Sequence, residues 1–399
     1  MPLHIATEED IRAGRVTDVY FENTRRVLQA KGIRKNVVME VRAASLPQGY
    51  EWAVLAGIEE VAAIMQGVNC SVWCIEEGSI FHAGEPVLAV EGEYTEFGTL
   101  ETPLLGLLCQ ASGIATKAAR CKKAAGDRLV ISFGARRMHP AIAPMIERNA
   151  YLGGCDGVAV VKSGELIGQP ALGTMPHALI LVVGDSVQAF KMFDEVMPPE
   201  AHRICLVDTL GDEKFEAVAA AEALGERLFG VRLDTPGSRR GNMAAILQEV
   251  RWELDLRGYK DVKIIVSGGL DEDNIPELNP YCDGYGVGTA ISDAPTINFA
   301  LDIVEVEGKP FAKRGKLSGR KQVLECPKCH SRAVVPATNR PDDAFSPAEE
   351  LVCACGGRRV ATLQQLTDTG RLLIQPRPVK EMRERAMERL KIQMMGDCV

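Results

Sequence analysis

Two glycine-containing segments in the middle of the chain have the composition of phosphate-binding turns. "VSGGLDEDNI" and "GYGVGTAIS" each begin like a buried strand and continue through glycine towards a helix-like stretch. Glycine lets backbone N–H groups approach an anion closely, and a following helix N-terminus adds favourable partial charge. The residues expected to contact the anion are Ser267, Gly268, Gly269, Gly286, Gly288 and Thr289. Two such turns in succession predict a phosphate site, the alternative being that the glycines only permit tight turns.

Acidic and basic side chains follow two other predicted strands. "LVDTLGDE" ends a strand at Asp208, and "VRLDTPGS" provides Arg232, Asp234 and Thr235. Arg232 and Asp234 are two residues apart, so they lie on the same strand face. Carboxylates bind ribose hydroxyls or the Mg²⁺ that accompanies a pyrophosphate, and arginine binds phosphate oxygens. The segment favours a phosphorylated, polyhydroxylated ligand, with a structural salt bridge as the alternative.

Two arginines and a histidine follow further predicted strands. Arg136 and Arg137 stand just past the strand in "ISFGARRMHP", and His177 begins a helix in "GTMPHALI". Guanidinium groups bind carboxylates and phosphates through paired hydrogen bonds, so the arginines predict an anion site. A lone histidine is more often structural, but an imidazole beside phosphate groups can accept a phosphoryl group. The neighbouring phosphate signals favour this catalytic role for His177.

Four cysteines near the C-terminus have the spacing of a metal site. "CPKC" contains Cys326 and Cys329, and "CAC" contains Cys353 and Cys355. Two thiolate pairs brought together by a loop can bind one tetrahedral zinc ion. The pattern predicts a structural Zn²⁺ site, with His330 as an alternative fourth ligand. A zinc-containing nucleic-acid-binding protein is the less favoured interpretation, because the chain is acidic.

A repeated strand and helix pattern between residues 128 and 290 must position the polar residues. Its apolar runs are RLVISFG, GVAVV, PALGT, RICLVD, LFGVRLD, VKIIVSGG and CDGYGVG. Helical spacing occurs between them in HALILVVGDSVQAFKMF, DEKFEAVAAAEALG and GNMAAILQEVRWELDLRG. This alternation predicts a parallel sheet, as a closed or nearly closed β/α barrel or as a doubly wound open sheet. In both folds the polar residues that follow strands face one ligand site.

The flanking regions have different patterns. "YEWAVLAGIEEVAAIMQG" predicts a helix that ends at Gly67, "SVWCIEEGSIFHAGEPVLAVEGEY" predicts short antiparallel strands, and "TLETPLLGLLCQASGIATKAARCKKAAG" predicts one long helix. The tail carries the four cysteines and ends in a charged helix. The predicted domains are residues 1–125, with mixed helices and strands, the barrel at 126–305, and a C-terminal region at 306–399.

The composition excludes several classes of protein. The chain has 399 residues, a formal net charge of -8 and a pI near 5.5, so binding to nucleic acid through a basic surface is not expected. No apolar run has the length of a membrane span, and the N-terminal segment lacks a signal-peptide pattern. These features predict a cytoplasmic protein in which most of the 12 cysteines are reduced.

The motifs together resemble those of a known enzyme family. "TDVYF", "SFGARR", "GTMPH", "RLDTPG", "VSGGLD" and "GVGT" occur in the order found in nicotinate phosphoribosyltransferases, over residues from about 15 to 320. The resemblance implies the type II phosphoribosyltransferase fold, an N-terminal α/β sandwich with an irregular parallel β/α barrel. The C-terminal region lies outside the family pattern and is expected to complete the sandwich. It also implies dimers, or multiples of dimers, that share active sites.

The same resemblance implies a reaction. Nicotinate would condense with phosphoribosyl pyrophosphate, accompanied by Mg²⁺, to give nicotinate mononucleotide for NAD biosynthesis or salvage. ATP hydrolysis would be coupled through phosphorylation of His177.

Individual residues receive roles from the resemblance. Phe133 would lie under the pyridine ring, and Tyr20 of the partner subunit would stack from above. Arg136 or Arg137 would face the nicotinate carboxylate or the pyrophosphate, and Thr174 is a further substrate-binding candidate. The residues expected to hold the ribose, the metal-bound pyrophosphate and the 5′-phosphate are Asp208, Arg232, Asp234, Thr235, Ser267, Gly268, Gly269, Gly286, Gly288 and Thr289.

The chain departs from its relatives in one segment. They usually read "GGxDGTSN" where this chain has "GGCDGVAVV", so the expected hydroxyls are missing. Ala159 stands near the position where an Asp favours nicotinamide, which favours the acid as substrate. Quinolinate phosphoribosyltransferases share the fold but have "TRKT" in place of "FGARR", so that activity and nicotinamide transfer are alternatives. A barrel aldolase or isomerase would need a base, for which Lys162 is the candidate.

Overall fold

The computed structural model describes residues 3–340, 343–348, 351–375 and 377–396, which form two compact units. The first unit contains the described residues of Met1–Thr116 and Pro295–Gln393. The second contains those of Lys117–Ala294 and Met394–Val399. The long segment between the two parts of the first unit therefore forms a separate body.

The described strands are numbered in chain order. They are β1 (Asn36–Ala43), β2 (Ala53–Val54), β3 (Cys70–Cys74), β4 (Ile80–Phe81), β5 (Pro86–Glu93), β6 (Leu129–Ser132), β7 (Gly157–Val158), β8 (Arg203–Leu206), β9 (Leu228–Leu233), β10 (Lys263–Ser267), β11 (Gly284–Val287), β12 (Phe299–Val306), β13 (Lys309–Pro310), β14 (Lys321–Glu325), β15 (Arg332–Arg340), β16 (Asp343–Pro347), β17 (Val360–Ala361), β18 (Gln364–Asp368) and β19 (Arg371–Leu372).

The described α-helices follow the same convention. They are α1 (Glu8–Arg12), α2 (Val19–Ala30), α3 (Ile58–Met65), α4 (Tyr94–Phe97), α5 (Glu101–Ala125), α6 (Ala143–Leu152), α7 (Val161–Ile167), α8 (His177–Val183), α9 (Ser186–Val196), α10 (Glu213–Leu224), α11 (Gly237–Arg240), α12 (Met243–Leu256), α13 (Ile275–Leu278), α14 (Thr289–Ser292) and α15 (Val379–Gly396). The predicted long helix is confirmed as α5, and the predicted charged helix of the tail as α15.

An antiparallel sheet forms the core of the first unit. Its strand order is β13-β12-β1-β5-β3-β18-β19, and β1 pairs with β5 and β12 in antiparallel register. Val41 of β1 and Leu88 of β5 are fully buried and belong to one hydrophobic cluster with Leu104 of α5. Burial of apolar side chains on the inner face of a sheet is its main source of stability. The C-terminal region joins this sheet through β18, which pairs with β3.

A parallel sheet forms the core of the second unit. Its strand order is β7-β6-β11-β10-β9-β8, and every neighbouring pair is parallel. The helices α6 to α14 alternate with these strands along the chain. The predicted mixed α/β class and parallel β/α sheet are therefore confirmed. The sheet is open in the described residues, because β7 and β8 are its edges.

The predicted strand in "PALGT" is wrong. Residues 169–176 are irregular chain, and the N–H of Leu172 donates to the carbonyl of Val158 at 2.7 Å. Pro170 has no N–H for a strand ladder. The segment therefore runs beside β7 without extending the sheet, which has six strands in place of the seven predicted.

Two predicted helices are shorter than expected. "YEWAVLAGIEEVAAIMQG" contains α3 only over Ile58–Met65, since Ala53–Val54 pairs with β4. "HALILVVGDSVQAFKMF" is divided into α8 and α9 at Gly184, whose φ is +85°. The carboxylate of Asp185 then accepts a hydrogen bond from the N–H of Gln188 and caps α9. A glycine C-terminus followed by an aspartate N-cap separates two helices in this way. Among the described helices, none is long and apolar enough to cross a membrane.

Candidate active site

A cavity of about 350 Å³ lies at the carboxyl ends of the parallel strands. Its lining contains most of the residues that the sequence predicted for substrate binding. They are Phe133, Arg136, Arg137, Thr174, Arg232, Asp234, Ser267, Gly268, Gly269, Gly286, Gly288 and Thr289. Side chains that follow different strands of a parallel sheet meet at this edge. The cavity is within the size range of small-molecule sites.

A larger cavity of about 830 Å³ lies at the opposite ends of the strands. Lys263, at the start of β10, contributes to its wall and pairs with Asp283 at 3.4 Å. Arg251 in the same wall pairs with Asp255 at 2.8 Å. Because these charges neutralise one another and the smaller cavity gathers the predicted residues, the smaller cavity is the candidate active site.

The strand register places the two glycine turns side by side. Ser267 of β10 is opposite Gly286 of β11 in the parallel ladder. The helices that follow the turns, α13 and α14, have four residues each. Helices this short have a small dipole. Their contribution to anion binding is therefore smaller than the sequence predicted. The turns offer an anion mainly their backbone N–H groups.

Phe133 lies against the backbone of Gly286. A Cβ atom at position 286 would be 2.3 Å from Cδ2 of Phe133, so only glycine lets the ring lie there. The guanidinium carbon of Arg232 is 5.8 Å from the centre of the same ring, within the range of a cation–π contact. Burial lowers the pKa of Arg232. The floor of the cavity therefore combines an aromatic face with a partly desolvated cation.

Gly268 is enclosed by two charged side chains. Its φ is +87°, and a Cβ atom there would be 2.8 Å from Oδ1 of Asp234 and 2.9 Å from Nη2 of Arg240. Ser267 Oγ donates to the same Asp234 oxygen at 3.0 Å. The positive φ therefore favours glycine at 268, and a larger residue would displace the ends of the Asp234 and Arg240 side chains.

His177 lies beside the two predicted carboxylates. Its Nε2 atom is 3.8 Å from Oδ1 of Asp208 and 3.8 Å from Oδ2 of Asp234. Its Nδ1 atom is 2.9 Å from Oγ1 of Thr209. The side chain of His177 is 38% exposed, whereas that of Asp208 is 2% exposed. The histidine is thus oriented from one side and accessible from the other.

Asp208 carries an unusual carboxylate. Its Oδ2 accepts a hydrogen bond from the N–H of Asp234 at 2.6 Å, but its buried Oδ1 has no hydrogen-bond partner among the described residues. Burial raises the pKa of Asp208. A buried oxygen without a partner costs free energy, and Mg²⁺ prefers carboxylate oxygens. The pair Asp208 and Asp234 therefore fits a magnesium ion that arrives with a phosphorylated substrate.

A buried glutamate supports the loop after β8. The carboxylate of Glu216 accepts hydrogen bonds from the N–H groups of Thr209, Leu210 and Gly211 at 3.0–3.2 Å. It also accepts from Ser186 Oγ at 2.6 Å. These bonds fix the loop that brings Thr209 to the histidine ring.

Sequence reasoning missed Thr209, Glu216 and Arg240. Thr209 directly follows Asp208, so its polar side chain at a strand end was a usable signal. Glu216 and Arg240 lie within helical stretches and carry no such signal.

The lining of the cavity also contains the arginine pair. Arg136 and Arg137 form a short 3-10 helix with Ala135, and both are exposed. Ala159 also lines the cavity, and the carboxylate of Glu147 accepts from the N–H groups of Ala159 and Val160 at 3.3 and 2.9 Å. Burial raises the pKa of Glu147. This part of the lining is cationic and lacks a carboxylate at position 159.

Two predicted substrate-binding residues lie elsewhere. Thr235 is 1% exposed, and its hydroxyl donates to Glu213 at 2.8 Å. Tyr20 belongs to the first unit, where it is 58% exposed on α2. Its role in the site of a neighbouring subunit stays a prediction, as does substrate binding by Thr235.

The four predicted cysteines form a candidate metal centre in the first unit. The sulfur atoms of Cys326, Cys329, Cys353 and Cys355 all lie within 4.8 Å of one another. A tetrahedral zinc ion with Zn–S bonds of about 2.3 Å requires sulfur atoms roughly 3.8 Å apart. The cluster can therefore hold a metal ion. His330 Nδ1 is 2.9 Å from Oε1 of Glu325, so this ring has a carboxylate partner.

Two protein-family models match the chain. The model described as quinolinate phosphoribosyl transferase, N-terminal domain, matches residues 18–112. The model for the C-terminal domain of the same enzyme matches residues 114–302. Together they cover most of the first unit's N-terminal part and the whole parallel sheet.

The names of curated relatives give nicotinate as the substrate, whereas the family models are described by quinolinate. Mycobacterium tuberculosis nicotinate phosphoribosyltransferase pncB1 is 34% identical over 264 residues, 62% of this chain and 57% of that protein. The same organism's nicotinate phosphoribosyltransferase pncB2 is 30% identical over 350 residues, 77% of this chain and 74% of that protein. The match to pncB1 thus spans less than two thirds of that relative's length.

A solved structure resembles the whole chain. It is the crystal structure of nicotinate-nucleotide pyrophosphorylase from Pyrococcus furiosus, with a TM-score of 0.93 and 52% sequence identity. The similarity covers 98% of each chain. The likeness therefore includes the C-terminal region with its cysteines.

Proposed function

Because this chain belongs to the nicotinate phosphoribosyltransferase family, we propose that it condenses nicotinate with phosphoribosyl pyrophosphate to give nicotinate mononucleotide and pyrophosphate. The observation that carries this proposal is the single cavity in which an aromatic floor, an arginine pair and two glycine turns meet. Each matches one part of the substrates: the pyridine ring, its carboxylate and the phosphates. The product would enter NAD biosynthesis.

The acid is the proposed substrate in preference to the amide. Arg136 and Arg137 place two cations in the lining of the cavity, and Ala159 contributes no carboxylate at its position. A guanidinium binds a carboxylate through two parallel charge-assisted hydrogen bonds. Nicotinamide is neutral and gains no such interaction.

Catalysis would depend on alignment and charge stabilisation. The ring nitrogen of nicotinate has a free lone pair, so attack on the anomeric carbon of the ribose needs no general base. Phe133 holds the ring, while Asp234 and Arg232 flank the ribose and the leaving pyrophosphate. Asp208 and Asp234 would hold the Mg²⁺ that balances the charge of the pyrophosphate. Holding two reactants in line removes much of the entropic barrier.

ATP coupling through His177 is a further part of the proposal. The imidazole lies 3.8 Å from each of two carboxylates and is open to the solvent on one side. Transfer of the γ-phosphoryl group of ATP to a ring nitrogen would release ADP and place an anionic group beside the phosphate site, where it would alter binding of the leaving pyrophosphate. Water would then remove the group as inorganic phosphate.

Assembly, location and the zinc site complete the proposal. A homodimer, or a multiple of dimers, would let Tyr20 of one subunit close the site of another. We propose a cytoplasmic enzyme that acts on small molecules and does not bind nucleic acid. The four-cysteine cluster would bind a structural Zn²⁺, because its sulfur spacing suits tetrahedral coordination.

The test is product identification. The protein is incubated with nicotinate, phosphoribosyl pyrophosphate and Mg²⁺, with and without ATP, and the products are analysed by mass spectrometry. We expect nicotinate mononucleotide in both reactions and faster formation with ATP. Imine trapping at Lys162 with a carbonyl substrate would instead support a barrel aldolase, although this exposed lysine pairs with Glu165.

Quinolinate is the second candidate substrate. The matching family models are described by that substrate, and two neighbouring arginines could each bind one of its two carboxylates. Quinolinate transfer would release carbon dioxide, which nicotinate transfer does not. Release of labelled carbon dioxide from carboxyl-labelled quinolinate, at a rate above that of nicotinate conversion, would favour this activity.

A further inference from the structure

Arg240 joins the ends of two neighbouring strands. Its Nε donates to the carbonyl oxygen of Thr235 at 3.2 Å, just after β9. Its Nη2 donates to the carbonyl oxygens of Ser267, the last residue of β10, and Gly268, the residue after it, at 3.1 and 2.6 Å. One planar guanidinium therefore fixes three carbonyl groups around the first glycine turn.

The contacts of Arg240 differ from those of an ordinary surface arginine. All its hydrogen bonds within the described residues go to backbone carbonyls, and no described carboxylate forms an ion pair with it. Arg239, the preceding residue, is exposed and has no such contacts among the described residues. The two adjacent arginines thus form a natural pair for comparison.

The contacts of Arg240 with carbonyl groups also fix the direction of the N–H groups in the same peptide units. The described chain contains no cis peptide bonds, and in a trans unit the C=O and N–H groups point in opposite directions. Arg240 holds the C=O groups of Ser267 and Gly268. The N–H groups of Gly268 and Gly269 belong to the same two peptide units, so they point away from the guanidinium.

The cavity is lined by Gly268 and Gly269 but not by Arg240. Gly268 and Gly269 have φ values of +87° and +61°, a conformation that costs glycine little and leaves a turn free to flip. We propose that Arg240 is a positioning residue that holds these two N–H groups towards the phosphate of the phosphoribosyl substrate. This inference rests on the proposed function, since it names the residue that organises its phosphate subsite.

The test compares Arg240→Ala with Arg239→Ala in the full-length protein. Ribose 5-phosphate is the probe, and hydrogen exchange read by mass spectrometry follows the peptide that contains the 268–269 turn. We expect the probe to slow exchange there in the wild type and in Arg239→Ala, but not in Arg240→Ala. Equal protection in Arg240→Ala would overturn the proposal.

Steady-state kinetics provide a second measurement. Loss of oriented N–H donors to a phosphate should raise KM for phosphoribosyl pyrophosphate about tenfold or more, while KM for nicotinate stays within about twofold. A merely structural role would change both constants and kcat together, and that result would contradict the proposal.

If Arg240→Ala does not fold, Arg240→Lys decides the question. The single side-chain nitrogen of lysine cannot contact three carbonyl groups as a planar guanidinium does. If Arg240→Lys showed wild-type protection of the 268–269 turn and a wild-type KM for phosphoribosyl pyrophosphate, the proposal would be overturned. The exchange measurement needs no turnover. Protection at the turn in a protein that makes no nicotinate mononucleotide would refute the proposed function and leave Arg240's role intact.

Discussion

The Nδ1 atom of His177 lies 2.9 Å from the hydroxyl oxygen of Thr209. This contact leaves Nε2 facing Asp208 and Asp234 at 3.8 Å each. When Nδ1 carries the ring proton, it donates a hydrogen bond to Oγ1 of Thr209. Nε2 then keeps its lone pair and can act as a nucleophile. In this tautomer Nε2 would be the atom that accepts a phosphoryl group, and in the other tautomer it would be Nδ1.

The first prediction concerns His177→Ala. With Mg²⁺ and ATP, the wild type should acquire one acid-labile phosphate per chain, and the variant should acquire none. ATP stimulation should disappear, yet slow synthesis should continue because glycosyl transfer needs positioning more than phosphorylation. Labelled ATP followed by peptide mass analysis measures the phosphate.

Thr209→Val is the matched variant for orientation. It removes the hydroxyl with little change in shape, so labelling should become slower without being lost. Acid-labile phosphate that persists in His177→Ala would refute the residue assignment. A wild type that never becomes labelled would leave an uncoupled transferase as the better account.

The second prediction concerns the choice of acid over amide. Replacing the arginine that contacts the nicotinate carboxylate by Gln should lower kcat/KM for nicotinate about 10- to 100-fold, since a charged hydrogen bond contributes roughly 1.5–3 kcal/mol. Arg136→Gln and Arg137→Gln are measured separately with nicotinate and with nicotinamide. The rate measured with nicotinamide should not change in either variant.

Lys162→Gln is the control for loss of a cation outside the cavity lining, because this lysine is exposed and pairs with Glu165 on α7. It should leave both substrates unaffected. An unchanged ratio of nicotinate to nicotinamide efficiency in both arginine variants would contradict the assignment of the cationic lining.

Local sequence patterns were sufficient for the parallel sheet and for the placement of most predicted site residues around one cavity. Alternating apolar runs and strand-end positions predicted the places of Asp234, Ser267 and Gly286, because every parallel strand directs its carboxyl end to the same edge. The role of Arg240 was not predicted, because its partners are backbone carbonyl groups. Every residue has a carbonyl group, so the sequence gives no signal for such contacts. "PALGT" was misassigned because its apolar residues pack beside β7 without pairing.

The third prediction concerns the four-cysteine cluster. Cys326→Ser should bind less than one metal ion per chain and unfold at a lower temperature, because metal binding at a structural site contributes to folding. Turnover of the fraction that remains folded should change little. Metal analysis and thermal unfolding of the same preparation provide the measurement.

Cys109→Ser serves as the control, since Cys109 lies outside the cluster. Its metal content should equal that of the wild type. A Cys326→Ser protein that binds no metal and melts normally, but has lost catalysis, would show that the metal acts in the reaction.

The fourth prediction concerns Glu101, at the start of α5. Burial and the nearby carboxylates of Asp302 and Asp18 raise the pKa of Glu101 to about 7, while Lys313 opposes the shift. Between the ordinary pKa of a glutamate and pH 7, Glu101 is therefore protonated in the folded protein but ionised in the unfolded chain. Stability should consequently fall as pH rises through this window.

Glu101→Gln removes this titration. Urea unfolding at pH 5 and pH 7.5 should show that the variant becomes more stable relative to the wild type at the higher pH. An identical difference in unfolding free energy at the two pH values would contradict the assigned pKa.

The most direct test of the central claim is the rate of nicotinate mononucleotide formation by Gly286→Ala. The added Cβ would lie 2.3 Å from Cδ2 of Phe133, so the ring must leave the floor of the cavity. Gly106→Ala is the control, because its Cβ meets nothing within 4 Å on the exposed side of α5, and it should raise helix stability by up to about 1 kcal/mol. We predict that the wild type and Gly106→Ala form the nucleotide at equal rates and that Gly286→Ala forms it about 100-fold more slowly, as expected for misplaced reactants. Wild-type synthesis by a folded Gly286→Ala protein, or no synthesis by the wild type, would contradict the account.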